Sequence, residues 1–575
     1  MNDLRSPAFP PWMRWISPLI LLFLVLGVFS PLLKCDFVDW DDRETIALNP
    51  AFNPPNFGEI AHCWSVSNPQ RSLYVPLTYT MWGVLAEISP RNAPDENGIT
   101  LSPARFHLAN IFMHAGSAII VLWMLRRLVR DEFAAMVGAL VFAIHPMQVE
   151  AIGWISGGKD VLSGFLSLIA LWMYMDFSYR SGQARAIRSW RWVSYSIATA
   201  AFIGAMLAKP QAVVVPVIAI ALSLILPRGD ARRALPWLIL AIPFAIIGRH
   251  VQPAVQVVSP FLFRPVVALD ALAFYFGKLC WPFRLAVDYG RNPLWLMQSP
   301  DRFLSWVVPI VALAVCVRYL RRSPWMLVGM LMFVAALLPV LGLIPFEFQQ
   351  YSTVGDHYLY VAMFGIAFVL AHALAPLRTT NWIAPAGVIL VVLIVLAIRQ
   401  TFYWQNTLQL FGHTLEVNPS SLAANSTLAY YWVEHHDDTQ AAAYFDQAAR
   451  EHPESAVNHF DYANLLSRAG MLNEAIEQYQ QAIALEPENV SFLLNGGVAL
   501  ARAGRSEDAL AVFKNVATIA PENADAWQDA GLVFEKVGQI ESARQSFSNA
   551  LRLDPNHEVS RRHLEALPTS RPAGT

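Results

Sequence analysis

One apolar run follows another along the first two thirds of the chain, each near the length of a bilayer-crossing helix. The first reads WISPLILLFLVLGVFSPLL, Trp15–Leu33. A hydrocarbon core of about 30 Å is crossed by roughly 20 apolar residues wound as a helix. The whole chain agrees with this reading: 575 residues, 55% hydrophobic and only 15% charged, with a mean hydropathy of +0.38, far from an average soluble domain. A multi-span membrane protein is expected. The first run is too long for a cleaved signal, and no small-residue cleavage site precedes the acidic stretch that follows it. A net charge of −2 gives no reason to expect nucleic-acid binding. Cys35, Cys63, Cys280 and Cys316 lack metal-ligand spacing. Cys35 and Cys63 could share one side of the membrane and pair, but isolated thiols are expected.

The apolar runs stop near Trp404, and the remainder is polar and Ala-rich. Pro419, Pro453, Pro487, Pro521 and Pro555 recur every 34 residues. Gly470, Gly504 and Gly538 keep the same step, as do Ala441, Ala475, Ala509 and Ala543, and the aromatics Phe445, Tyr479, Phe513 and Phe547. That register is the signature of the tetratricopeptide repeat: Gly turns the chain between two helices, Ala lets them approach, and Pro ends the second. His436 stands where the first repeat should have Gly. Four repeats and a closing helix, Glu558–Leu567, are expected. The domains are therefore residues 1–404, with an outer loop at 34–103, and residues 405–575.

Lys and Arg favour cytoplasmic loops. Arg5 and Arg14 precede the first run. RRLVR (Arg126, Arg127, Arg130), YRSGQARAIRSWR (Arg180, Arg185, Arg188, Arg191), RGDARR (Arg228, Arg232, Arg233) and RYLRR (Arg318, Arg321, Arg322) lie between later ones. With these inside, about 11 spans are expected, near 15–33, 104–128, 133–147, 158–178, 191–208, 211–227, 234–250, 303–320, 325–345, 357–376 and 382–403. Pro265–Leu285 carries Asp270 and Lys278 and is read as re-entrant or interfacial. An odd count with the N-terminus inside leaves the repeats outside.

Directly after the first run comes CDFVDWDDRETIALNP, Cys35–Pro50, dense in acids at the membrane edge. A carboxylate there is a candidate general base, and adjacent carboxylates can divide binding and reaction or hold a divalent cation. Other polar groups fall on the same outer face: His145, Glu150, Lys159 and Asp160 in IHPMQVEAIGWISGGKD, Lys209 in AKPQA, and Asp356, His357 and Tyr358 in GDHYLY. Taken singly, each has a bland explanation: a solvated loop, a helix-ending turn, a local ion pair or a snorkelling lysine. Together, cations and carboxylates ring one cavity, which suits an anionic lipid-phosphate leaving group beside a carboxylate that activates an acceptor.

The order FVDWDDRETIALNP, RFHLANIFMHAGSAIIVLWMLRRL, AMVGALVFAIHP, AMLAKPQAVVVP, KLCWPFRLAVDYG, GDHYLYVAMFGI and then a repeat tail resembles the transmembrane and tetratricopeptide-repeat O-mannosyltransferases, within the GT-C class of membrane glycosyltransferases. The resemblance implies an all-α polytopic domain followed by a repeat solenoid. It implies inverting transfer of a sugar from a polyprenyl-phosphate donor to a protein hydroxyl at the outer face, in a bacterial inner membrane. It implies a catalytic aspartate in the first outer loop, matched here by Asp41 and Asp42, with Asp41 the expected base and the reverse order left open. Lys209 matches the family's Lys-Pro turn and, with Lys159 and His357, is a candidate for binding the donor phosphate; His145, Glu150, Asp160, Asp356 and Tyr358 are further site candidates. A divalent cation, if used, would sit on Asp41 and Asp42; no cofactor is certain. The repeats would hold a protein or peptide acceptor. His357 and Val75 depart from the pattern expected in relatives, so donor recognition can differ. The competing readings are a lipid or glycan acceptor, or a non-enzymatic membrane-anchored repeat scaffold in envelope assembly.

Overall fold

In the computed structural model the described residues are 12–66, 73–91, 93–95, 98–181, 190–226, 229–251, 259–298, 300–377, 382–536 and 538–568. Arg5, Arg185, Arg188 and Arg228 of the basic loops lie outside them. Among these residues the protein is all-α, with only two isolated bridges, Phe52–Pro55 and Pro90–Leu101. It divides into two compact units, Met1–Pro419 and Ser420–Thr575. The sequence reading placed the division at Trp404. The helix Thr407–Val417 instead falls in the first unit, where the Thr407 hydroxyl donates to Asp39 Oδ2 at 3.0 Å.

Every expected span contains a helix. Six are long and apolar enough to cross a membrane: Trp15–Lys34, Pro103–Val129, Gly158–Arg180, Ala231–Val251, Asp356–Leu374 and Ile383–Tyr403. A seventh arises if Glu132–Ile144 and Pro146–Gly153, bent by 48°, act as one. The bend has a local cause. Pro146 has no N–H, so the ladder stops, and His145 takes an extended backbone while its Nδ1 accepts from Met147 N at 3.4 Å. Pro210–Ser223, Leu304–Arg318 and Pro324–Val340 are shorter apolar helices, and Arg191–Ala208 has 18 residues. The segment read as re-entrant or interfacial forms the helix Arg264–Cys280. Its Asp270 is buried against Arg291 Nη2 at 2.5 Å.

Burial separates the long helices by role. Gly158–Arg180, Pro103–Val129 and Asp356–Leu374 are 67%, 61% and 61% buried over their apolar windows, whereas Ile383–Tyr403 is 11% buried. The first three are packed by protein; the last presents Val388, Ile389, Val391, Val392 and Val395 outward. An apolar surface of that kind on a span-length helix faces lipid. This is an integral membrane protein. All four cysteines are free thiols; Cys35 and Cys63 are each buried on their own backbone partners, Sγ to Thr401 O and Glu59 O.

The second unit is the expected solenoid. Helix pairs Leu422–Glu434 with Asp438–Glu451, Ala456–Arg468 with Leu472–Leu485, Val490–Arg502 with Ser506–Ile519, and Ala524–Lys536 with Ile540–Leu553 precede Glu558–Ala566. The repeated Ala441, Ala475, Ala509 and Ala543 are fully buried, and the repeated aromatics are at most 3% exposed. Gly470, Gly504 and Gly538 turn with φ of 80°, 83° and 76°. His436 takes the same left-handed conformation, φ 58°, so the first turn keeps its geometry without glycine.

Candidate active site

The acidic loop leaves the first long helix at Lys34 and tightens into a short π-helical turn, Arg43–Ala47. Its acids go to different partners. Asp39 ties the loop down: it pairs with Arg43 Nη1 at 3.3 Å, and its backbone N donates to Thr407 Oγ1 at 2.9 Å. Asp42 turns inward and is 1% exposed. Its Oδ1 accepts from Ser156 N at 2.7 Å and its Oδ2 from Val38 N at 3.3 Å. Burial, with the neighbouring Asp41 charge adding to it, pushes the Asp42 carboxyl up to about 7 against the pull of those N–H groups. Asp41 points the other way, with 39% of its side chain exposed and Oδ2 at 3.3 Å from Lys159 Nζ.

Lys159 comes from the segment after the bend. The short helix Val149–Gly153 ends at an extended Trp154, and Gly157 lets the chain turn into Gly158–Arg180. A Cβ on Gly157 would sit 2.7 Å from Ala151 O, so no larger residue fits that turn unchanged. Lys159 Nζ lies over the Trp154 ring at 4.6 Å. One residue on, Asp160 Oδ1 accepts from Lys209 Nζ at 2.6 Å. Lys209 is the residue between Arg191–Ala208 and Pro210. Burial pulls its ammonium below the usual lysine range, and the Asp160 charge works against that shift. Its Nζ lies 5.7 Å from the Tyr358 ring.

Glu150, Asp356 and His357 form a second cluster. Glu150 Oε1 meets His357 Nδ1 at 2.5 Å and Oε2 accepts from Asp356 N at 3.0 Å. Asp356 Oδ1 accepts from Tyr289 at 2.9 Å. The two clusters are contiguous, because Trp154 packs on His357 with centroids at 5.5 Å and Tyr358 packs on His357 at 4.1 Å. A small cleft borders Glu150 and Asp356, with Gln400, Trp404 and His413 on its wall. His145 stands apart: its Nε2 meets Leu279 O at 3.2 Å, which makes it part of the bend.

The cation expectation meets an unfavourable donor set. Asp42 gives both oxygens to backbone N–H groups and Asp41 faces an ammonium. Among the described residues no group of three or more His, Cys, Asp or Glu could hold a metal ion. Several residues of the site carried no signal in the sequence. Trp154 and Ser156 serve through a ring face and a backbone N–H, which no spacing advertises. Trp40 anchors the loop among Phe348, Tyr351 and Phe411, with centroids at 6.3, 6.0 and 5.7 Å.

Comparison with known proteins bears on both units. Tetratricopeptide-repeat family models match residues 460–524 and 524–557. Over the longer alignments, protein O-mannosyl-transferase TMTC1 of Homo sapiens is 24% identical across 453 residues, 69% of this chain and 47% of its own length. TMTC3 of Homo sapiens is 22% identical across 68% of this chain and 47% of its own. TMTC4 of Mus musculus is 22% identical across 77% of this chain and 67% of its own. The relatives are protein O-mannosyl-transferases. The resemblance drawn from the ordered motifs is thereby borne out, although the chain spans about half the length of the first two. Among solved structures, the tetratricopeptide-repeat protein YrrB is 22% identical and covers 28% of this chain and 82% of its own, with a TM-score of 0.27.

Proposed function

We propose that this chain is an inverting glycosyltransferase of the GT-C kind, moving a hexose from a polyprenyl-phosphate donor to a Ser or Thr hydroxyl of a polypeptide at the outer membrane face. The observation that carries this reading is the Asp41–Lys159 pair at 3.3 Å, a partly exposed carboxylate beside a buried cation. The names of the relatives support the class of reaction and the hexose, mannose.

In this reading Asp41 accepts the proton of the acceptor hydroxyl as its oxygen bonds to the anomeric carbon. The carbon–oxygen bond to phosphate breaks, its electron pair stays on the leaving polyprenyl phosphate, and the anomeric centre inverts. The proton passes from Asp41 to solvent, which the exposure of its side chain permits. Lys209 gives one of its three N–H bonds to Asp160 and keeps two for phosphate oxygens. Lys159 adds charge opposite the developing anion. Asp42 holds the loop from beneath through Val38 and Ser156. Glu150 and His357 brace the turn that carries Tyr358 against Lys209. The repeat unit binds an extended stretch of the acceptor.

The test uses the full chain in proteoliposomes, with farnesyl-phosphate mannose and a Ser/Thr-rich peptide. Asp41→Asn should lower transfer by about 10²–10⁴-fold at an unchanged membrane level, the usual size of a lost general base. Undiminished transfer by this variant would sink the assignment.

A further inference from the structure

Asp160 uses only half of its carboxylate. Oδ1 holds Lys209 at 2.6 Å, while Oδ2 is buried and has no hydrogen-bond partner among the described residues. The residue is 6% exposed, on the first turn of Gly158–Arg180. Buried polar atoms are nearly always paired, and an unpaired one bears its full desolvation cost. This oxygen therefore has an unused capacity to accept from a bound molecule. It belongs to the same side chain that orients Lys209, and the adjacent Lys159 reaches Asp41.

The chemistry of the donor narrows what can fill that capacity. A glycosyl phosphodiester has only acceptors at its phosphate, so any hydrogen that this substrate offers comes from a sugar hydroxyl. The hydroxyl closest to the phosphate is the one on the neighbouring ring carbon, the 2-hydroxyl. The aspartate bonded to Lys209 brings an unpaired acceptor to the same lysine that the proposed function puts on the phosphate. We infer that Asp160 Oδ2 accepts a hydrogen bond from the 2-hydroxyl of the donor sugar. Asp160 thereby makes transfer depend on the presence of that hydroxyl. The inference rests on the proposed donor class and assigns its specificity to one residue. Both supports are rigid: Asp160 sits at a helix start, and Lys209 is fixed between a helix end and Pro210.

The experiment measures kcat/KM of the full chain in proteoliposomes for farnesyl-phosphate mannose, its 2-deoxy, 4-deoxy and 6-deoxy analogues, and farnesyl-phosphate glucose. Wild type should lose about 10–100-fold with the 2-deoxy donor, the largest penalty of the deoxy series, as expected for a lost bond to a charged acceptor. Asp160→Ala should be slower with every donor and should shrink the mannose to 2-deoxy ratio to under about 3-fold. That ratio is read within one preparation and does not depend on its yield. If Asp160→Ala does not accumulate, Asp160→Leu carries the same comparison with its packing volume roughly kept and no hydrogen-bonding group left. Equal rates with mannose and 2-deoxy donors in wild type, or an undiminished ratio in the variant, would overturn the inference. No transfer by wild type from any of these donors would overturn the functional reading itself.

Discussion

Asp41 and Asp42 are neighbours with opposite environments, and the difference is one of partners. Asp42 is sealed under the loop by two backbone N–H groups, whereas Asp41 keeps part of its side chain in solvent beside Lys159. The Asp42 carboxyl, raised from 3.8 to about 7, carries a pH dependence of stability. Below about pH 4 it is protonated whether folded or unfolded. Between about 4 and 7 the unfolded chain releases its proton first, so the contribution of Asp42 to stability falls as pH rises and levels off above about 7. The thermal unfolding midpoint of the detergent-solubilised protein should therefore drop from pH 5 to pH 7.5 more steeply in wild type than in Asp42→Asn. Parallel curves would contradict the buried, late-titrating carboxyl. The acidic motif stood out in the sequence, and the resemblance favoured Asp41 as base, but nothing there told which aspartate is exposed, because exposure depends on residues more than a hundred positions away.

At the scale of elements, local rules were legible wherever a pattern repeats. The 34-residue register marked the helix pairs, and the turn glycines fell at left-handed positions. Gly504→Ala should cost about 1 kcal/mol, since φ of 83° suits glycine and strains alanine. His436→Gly should move the other way by a few tenths of a kcal/mol, because histidine now occupies that strained region. Hydrogen exchange of the full chain would register both. Protection should fall across Val490–Ile519 in the first variant and hold or rise across Leu422–Glu451 in the second. The bend at His145–Pro146 was equally visible as a proline stop, but the role of His145 was not. Its ring serves the carbonyl of Leu279, 134 residues away.

At the scale of the whole molecule, the parity of crossings decides on which side the repeats lie. Six crossings return the tail to the side of the N-terminus; seven or eleven carry it across. Charge bias in the loops favours the crossing arrangement. Cysteines placed singly at Glu59 and Glu522 in a cysteine-free background should both react with a membrane-impermeant maleimide in intact cells, and one at Arg130 only after permeabilisation. Labelling at Glu522 that requires permeabilisation would put the repeats inside and separate them from the acidic loop. Hydropathy and periodicity are properties of short stretches, so the sequence by itself determined the membrane helices, the repeat unit and the polar motifs between them. The pairings of those motifs are long-range contacts: Asp41 with Lys159, Asp160 with Lys209 and Glu150 with His357 join residues 118, 49 and 207 positions apart. Only the tertiary structure decided them, because helix packing rather than local preference brings these side chains to one place, and burial then sets which carboxylate is sealed, which is paired and which keeps contact with solvent.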